Sequence, residues 1–147
     1  MVQNEPTIQL PNGPHVGDLL GDYRLTALLG EGGMAKVFAA EHVSAGQRVA
    51  LKVLPRDRSL SPTAARSFAL EAIASQRIGH PNIVDVIGSG EHDQHKYHVM
   101  ERLFGLSLRD LMDDAPAMSV PRVVAIARQL ASALAAAHQV GIVHRDL

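Results

Sequence analysis

The pattern of apolar and polar positions changes character at Tyr23. Before it, residues 1–21 are rich in Pro, Asn and Gly and keep no sustained period, which predicts a disordered leader. After it come short β-like runs punctuated by glycine. Residues 23–29 (YRLTALL) and 36–42 (KVFAAEH) flank a Gly-rich turn and predict a hairpin with an unusually long loop. Residues 48–54 (RVALKVL) predict a third strand. Its alternation puts Val49, Leu51 and Val53 on one face and Ala50, Lys52 and Leu54 on the other. A lysine on a face otherwise suited to burial calls for a partner.

From Ser61 the period becomes helical. Ser61 suits an N-cap, Pro62 the first helical position, and Gly79 a C-terminal stop. Ala64, Phe68, Glu71, Ser75 and Ile78 fall on one stripe, so Glu71 lies in or beside the inward face. That placement makes Glu71 and Lys52 natural partners. Two more strands are predicted at 83–88 and 96–101, joined by a polar turn. Ser107 and Asp110 form a capping box before a short helix. The strongest helical pattern runs from Pro121 to His138, with Val123, Ile126, Ala127, Leu130, Leu134 and Ala137 in period and Gly141 closing it. Five strands with one helix inserted, then helices, make an α+β layout in two unequal parts.

Composition narrows the picture modestly. A chain of 147 residues, 46% hydrophobic and 20% charged, is long enough for one domain with a core. A formal net charge of −1 gives no electrostatic argument for nucleic acid or an anionic membrane. Zero cysteines exclude a disulfide framework and fit a cytoplasmic setting. No apolar run suggests a membrane span, and the N-terminus lacks the layout of a signal peptide.

The chemistry gathers first in residues 29–37 (LGEGGMAKV). Glycines let backbone N–H groups approach phosphate oxygens with no Cβ in the way. Gly30-x-Gly32 alone is weak evidence, because a long hairpin can need glycine merely to turn. A dinucleotide fingerprint is disfavoured, since a strand and not a helix follows. Three further features stand in order behind the loop: VALK at 49–52, Glu71 within SFALEA, and HRDL at 144–147. HPNIVDVIGSGE and YHVMERLFG lie between them. This ordered set resembles the eukaryotic-like serine/threonine protein kinases of bacteria, from Tyr23 onward.

The resemblance implies a protein-kinase-like small lobe at residues 22–103, a five-stranded antiparallel sheet plus the helix that kinases call αC, ending in a hinge. Residues 104–147 would then begin an incomplete large lobe. It also implies site roles. The stretch Leu29, Gly30, Glu31, Gly32, Gly33, Met34, Ala35, Lys36 and Val37 would cover ATP, its glycine backbone over the phosphates. Lys52 would hold the α- and β-phosphates, fixed by Glu71. Val37 and Ala50 would sandwich the adenine, Met100 would guard the back of the pocket, and the Glu101 carbonyl and Leu103 amide would meet the adenine edge. Asp146 would be the catalytic base, with His144 and Arg145 shaping its loop.

Ala35 replaces the loop's third glycine, a small change. His98 stands where such kinases carry an inward apolar residue, which leaves its environment open. His92 and His95 lie near it across a polar turn, where solvated histidines are expected and not a metal site. In complete kinases Mg²⁺ is held by groups C-terminal to H-R-D, so this chain carries no metal ligands of that kind. The reading is therefore an ATP-dependent serine/threonine kinase whose 147 residues are inactive alone, with a protein substrate. The apolar stripe at 121–138 would need covering, by a kinase large lobe or another kinase chain. The alternative is a non-catalytic module that binds nucleotide or a kinase. Phosphate transfer to a small molecule fits the loop and HPNIV less well.

Overall fold

In a computed structural model, residues 13–114 and 118–144 are described. A six-stranded antiparallel sheet carries the strand order β1-β2-β3-β4-β6-β5. Its strands are β1 (Leu19–Leu20), β2 (Tyr23–Glu31), β3 (Lys36–His42), β4 (Arg48–Leu54), β5 (Val86–His92) and β6 (His95–Glu101). The helices are α1 (Arg56–Ser59), α2 (Pro62–Ile78), α3 (Leu108–Asp114) and α4 (Val120–Gln139).

The alternation in β4 separates two faces. Val49, Leu51 and Val53 join Leu20, Leu25, Phe38, Ala40, Tyr97 and Val99 in one core cluster. Ala50, Lys52 and Leu54 face the other way, and of these Lys52 alone is half-buried, the others being buried. Helix α2 packs beside this second face with a narrow apolar contact. Phe68 and Ala72 are its buried residues, so Ala72 takes a place that the sequence stripe gave to Glu71 and Ser75. The ends of α2 follow the sequence: Ser61 Oγ accepts from the Ala64 amide, and Gly79 closes the helix at φ 53°. The capping box before α3 also forms, with the Asp110 amide donating to Ser107 Oγ at 3.1 Å and the Ser107 amide to Asp110 Oδ2 at 3.2 Å. The Ser107 hydroxyl, donating to Asp110 Oδ2 at 2.6 Å, and after it the Ser107 amide hold the Asp110 carboxyl below its usual pKa.

Several expectations need correction. Residues 13–21, assigned to a disordered leader, are ordered: β1 pairs with β2, and Leu20 is buried. The sheet therefore has six strands and not five. Strand β5 starts at Val86 and runs through Gly88-Ser89-Gly90, not over 83–88. Its turn explains the shift. Asp93 and Gln94 both adopt positive φ (46° and 65°), as a two-residue type I′ hairpin requires, and that fixes the ladder back along β5. Helix α4 is, by length and composition alone, apolar enough to cross a membrane, contrary to the sequence reading. Two side-chain hydrogen bonds join it instead to the loop after α2, His80 with Ser132 at 3.0 Å and Asn82 with Gln129 at 3.0 Å. Its apolar stripe lies largely open, with Val123 and Leu130 exposed and Ala137 buried.

Candidate functional site

Strand register assembles the site. Gly30 pairs with Val37, Val37 with Lys52, Lys52 with His98, and His98 with Ser89. Residues directly opposite in antiparallel strands share a face, so this row crosses the sheet on the side that carries α2. Two residues along, Ala39, Ala50, Met100 and Val86 form a second row on the same face.

Lys52 Nζ donates to Glu71 Oε1 of α2 at 2.5 Å. The two inward charges inferred from sequence thus meet. The pair is not buried: the side chains are 27% and 51% exposed. It stands at the open edge between sheet and helix, where Lys52 can reach a third, anionic group.

Beside it, the Gly-rich hairpin closes tightly. The Gly32 amide donates to the Ala35 carbonyl at 3.0 Å, and Glu31 pairs with Lys36 at 3.2 Å across its neck. Gly30, Gly32 and Gly33 hold no positive φ. A Cβ at Gly30 or Gly33 would meet nothing within 4 Å, and one at Gly32 only the Ala35 carbonyl at an ordinary 3.7 Å. Neither turn geometry nor packing asks for glycine here. What remains is space kept clear against the loop backbone, which an approaching ligand would use. Met34 at the loop tip is exposed.

At the far end of the sheet, Ala50 is buried and Met100 half-buried. The Glu101 backbone is fixed by Asp85: its amide donates to the Asp85 carbonyl at 3.1 Å, and its carboxylate accepts from the Asp85 amide at 2.9 Å. The chain then leaves the sheet, with Leu103 exposed beyond it. Leu29, like Met34, is exposed. Arg145, Asp146 and Leu147 lie outside the described residues.

His98 is the residue whose part the sequence left open. It is buried at 3% exposure, with Nε2 at 2.8 Å from the Phe68 carbonyl and Nδ1 at 2.8 Å from Ser89 Oγ. Its ring stacks on Phe68 with centroids 3.8 Å apart and planes 9° from parallel. Burial lowers its pKa from the ordinary 6.5, outweighing the Phe68 hydrogen bond and Glu71, and Lys52 pushes the same way as burial. His95 departs from the solvated expectation: its Nε2 is enclosed and, among the described residues, without a hydrogen-bond partner. His92 is open and 3.6 Å from Asp93. Among the described residues, no group of three or more His, Cys, Asp or Glu side chains could hold a metal ion.

The family model described as "Protein kinase domain" matches residues 23–147. The chain belongs to the protein kinase family. Bacterial serine/threonine-protein kinases are among its relatives. It is 41% identical over 134 residues to the serine/threonine-protein kinase Pkn1 of Myxococcus xanthus, covering 91% of this chain and 19% of that protein. To the serine/threonine-protein kinase PrkC of Bacillus subtilis it is 36% identical over 127 residues, covering 86% and 20%. Among solved structures, a double mutant of the Mycobacterium tuberculosis PknI kinase domain superposes with TM-score 0.76 at 31% identity, covering 92% of this chain and 54% of that one. The chain thus spans about half of a kinase domain and about a fifth of these curated relatives. The sheet with α2 is the kinase small lobe, and α3 and α4 begin the large lobe.

Proposed function

We propose that this chain supplies the nucleotide-holding part of an ATP-dependent serine/threonine protein kinase. The observation that carries the reading is the Lys52–Glu71 pair, held on the same sheet face as a glycine hairpin whose glycines serve neither turn nor packing. In this reading the loop backbone at Gly30, Gly32 and Gly33 covers the ATP phosphates. Lys52 provides a compact positive charge to the α- and β-phosphates while Glu71 keeps its side chain extended. Val37 and Ala50 flank the adenine, Met100 closes the back, and the Glu101 carbonyl and Leu103 amide meet its edge. Asp146 accepts the proton of a protein Ser or Thr hydroxyl.

The 147-residue polypeptide by itself binds nucleotide without transferring phosphate. Charge stabilisation of the moving phosphoryl group is the main contribution that kinases make, and the groups that hold Mg²⁺ for it lie after H-R-D. When bound, that ion neutralises phosphate charge. Transfer then needs the rest of a large lobe, from the same protein or another kinase chain, and takes place in the cytoplasm.

Calorimetric titration with ATP tests the reading. The chain is expected to bind, and Lys52→Ala to weaken binding at least about tenfold, the loss of one charge-assisted contact. No binding by the unmodified chain overturns the proposal, and equal affinity for the two forms removes Lys52 from the site.

A further inference from the structure

We propose that His98 is the positioning residue of the Lys52–Glu71 pair: through the Phe68 carbonyl and ring it holds α2 where Glu71 reaches Lys52. The functional meaning of this rests on the nucleotide reading of that pair; the geometry does not. Three observations carry it.

The first is placement. His98 lies directly opposite Lys52 in the ladder between β4 and β6, and Phe68 lies three residues before Glu71 on α2. Residues three apart on a helix share a face. One side chain of the sheet therefore touches the helix immediately beside the residue that the lysine needs.

The second is chemistry. A carbonyl only accepts, so Nε2 carries the proton toward Phe68, and Nδ1 is the acceptor for the Ser89 hydroxyl. Ser89 thereby fixes the tautomer that the contact with α2 needs. Phe68 is engaged twice, by its carbonyl and by its ring. The residue thus does two things for α2: it holds the Phe68 carbonyl by a hydrogen bond, and it stacks on the Phe68 ring. An apolar residue at 98 could fill the space but could not do the first.

The third is that, among the described residues, no other side-chain hydrogen bond ties the part of α2 before Glu71 to the sheet. Phe68 and Ala72 are the buried residues of α2. Its other polar ties to the sheet region stand further on, Ser75 Oγ donating to the Val84 carbonyl at 2.6 Å and Gln76 Nε2 to the Val86 carbonyl at 3.1 Å. Both lie C-terminal to Glu71. Without His98, the segment before Glu71 would pivot about those two contacts.

The test reads Lys52 directly, without nucleotide. Lys36, Lys52 and Lys96 are the lysines of the chain, and all three are ion-paired, with Glu31, Glu71 and Glu91. Competitive amine labelling read by mass spectrometry therefore gives Lys52 reactivity against two internal references. Glu71→Gln sets the value for a released Lys52. His98→Leu is expected to raise Lys52 labelling at least about twofold toward that value, with Lys36 and Lys96 unchanged. His98→Gln, which keeps an amide donor near the Nε2 position, is expected to bring it back. His98→Leu labelling equal to the unmodified chain overturns the proposal, as does a rise that His98→Gln fails to reverse. If His98→Leu raises all three lysines together, the fold has loosened and Ser89→Ala decides. Ser89 is exposed, and its removal is expected to raise Lys52 labelling alone; no change overturns the proposal. ATP titration of the same variants separates the two ideas. Failure of the unmodified chain to bind ATP sinks the nucleotide reading and leaves the labelling result standing.

Discussion

Replacing Gly32 by alanine should move stability and ligand affinity in opposite directions. Gly32 has no positive φ, and a Cβ there meets only the Ala35 carbonyl at 3.7 Å. The hydrogen bond that closes the hairpin uses the Gly32 backbone amide and survives the change. Alanine in a conformation that it can adopt stabilises mainly by restricting the unfolded chain, by about 0.4–1 kcal/mol. For a chain near this size that raises Tm by roughly 1–4 °C. A phosphate lying against the loop would meet the new methyl group and lose one charge-assisted hydrogen bond, about 1.5–3 kcal/mol or roughly 10- to 100-fold in affinity. Thermal unfolding without nucleotide and calorimetric ATP titration measure the two effects on one sample. A lowered Tm would show that glycine is structurally required here. Unchanged affinity at raised Tm would show that nothing approaches the loop backbone, and the argument from open space would fail.

Other substitutions probe the frame around the site. Leu51 is fully buried beneath the strand that carries Lys52, and Leu51→Ala should cost about 2–5 kcal/mol in urea unfolding; a loss under about 1 kcal/mol contradicts its place in the core. His98 has a folded-state pKa below the ordinary 6.5, so as pH falls through 6.5 the unfolded chain takes up the proton first. Stability from this residue is therefore constant above that pH, declines below it by at most about 1.4 kcal/mol per pH unit, and levels off under the folded-state pKa. Glu71 and Lys52 are the charged groups acting on the ring, and burial outweighs both. His98→Leu should flatten the decline between about pH 7 and pH 5, and parallel curves for the two proteins would refute the assignment.

Much of the frame was legible because local signals agreed with one another. The Ser61 cap, Pro62 and the Gly79 stop bound α2 without knowledge of its packing, and alternation in β4 sorted its two faces. Lys52 and Glu71, placed by periodicity on the facing sides of β4 and α2, do meet, at an open edge and not in the interior. The misses have a common physical cause: the deciding contact was made between segments and left no period within one. Leu19–Leu20 is too short to show a period, and its strand exists because Leu20 fits beside Leu25. Gly90 looks like a strand breaker. Gly90 is instead the place where the Tyr97 ring packs, and a Cβ there would collide with it. His98 looked out of place because its satisfaction depends on Ser89, nine residues away, and on a carbonyl of α2, thirty residues away. Asp146 lies outside the described residues, so the candidate site is seen from the side of Lys52 and Glu71.

Strand β1 has a practical consequence. The family match begins at Tyr23, yet the Gly17 amide donates to the Leu25 carbonyl at 2.8 Å and the Leu25 amide to the Asp18 carbonyl at 2.9 Å. A polypeptide begun at Tyr23 would leave those Leu25 groups unpaired and remove Leu20 from the core. It would also lengthen the open edge of β2, because among the described residues β1 and Gly17–Asp18 pair only with Tyr23, Arg24 and Leu25 of that nine-residue strand. The two-residue β1 covers one end of that edge while offering too little backbone to recruit a neighbour. The first residue of the family model and the first residues that the sheet uses are different places in this chain, and a domain cut at the first would lose the pairing made before it.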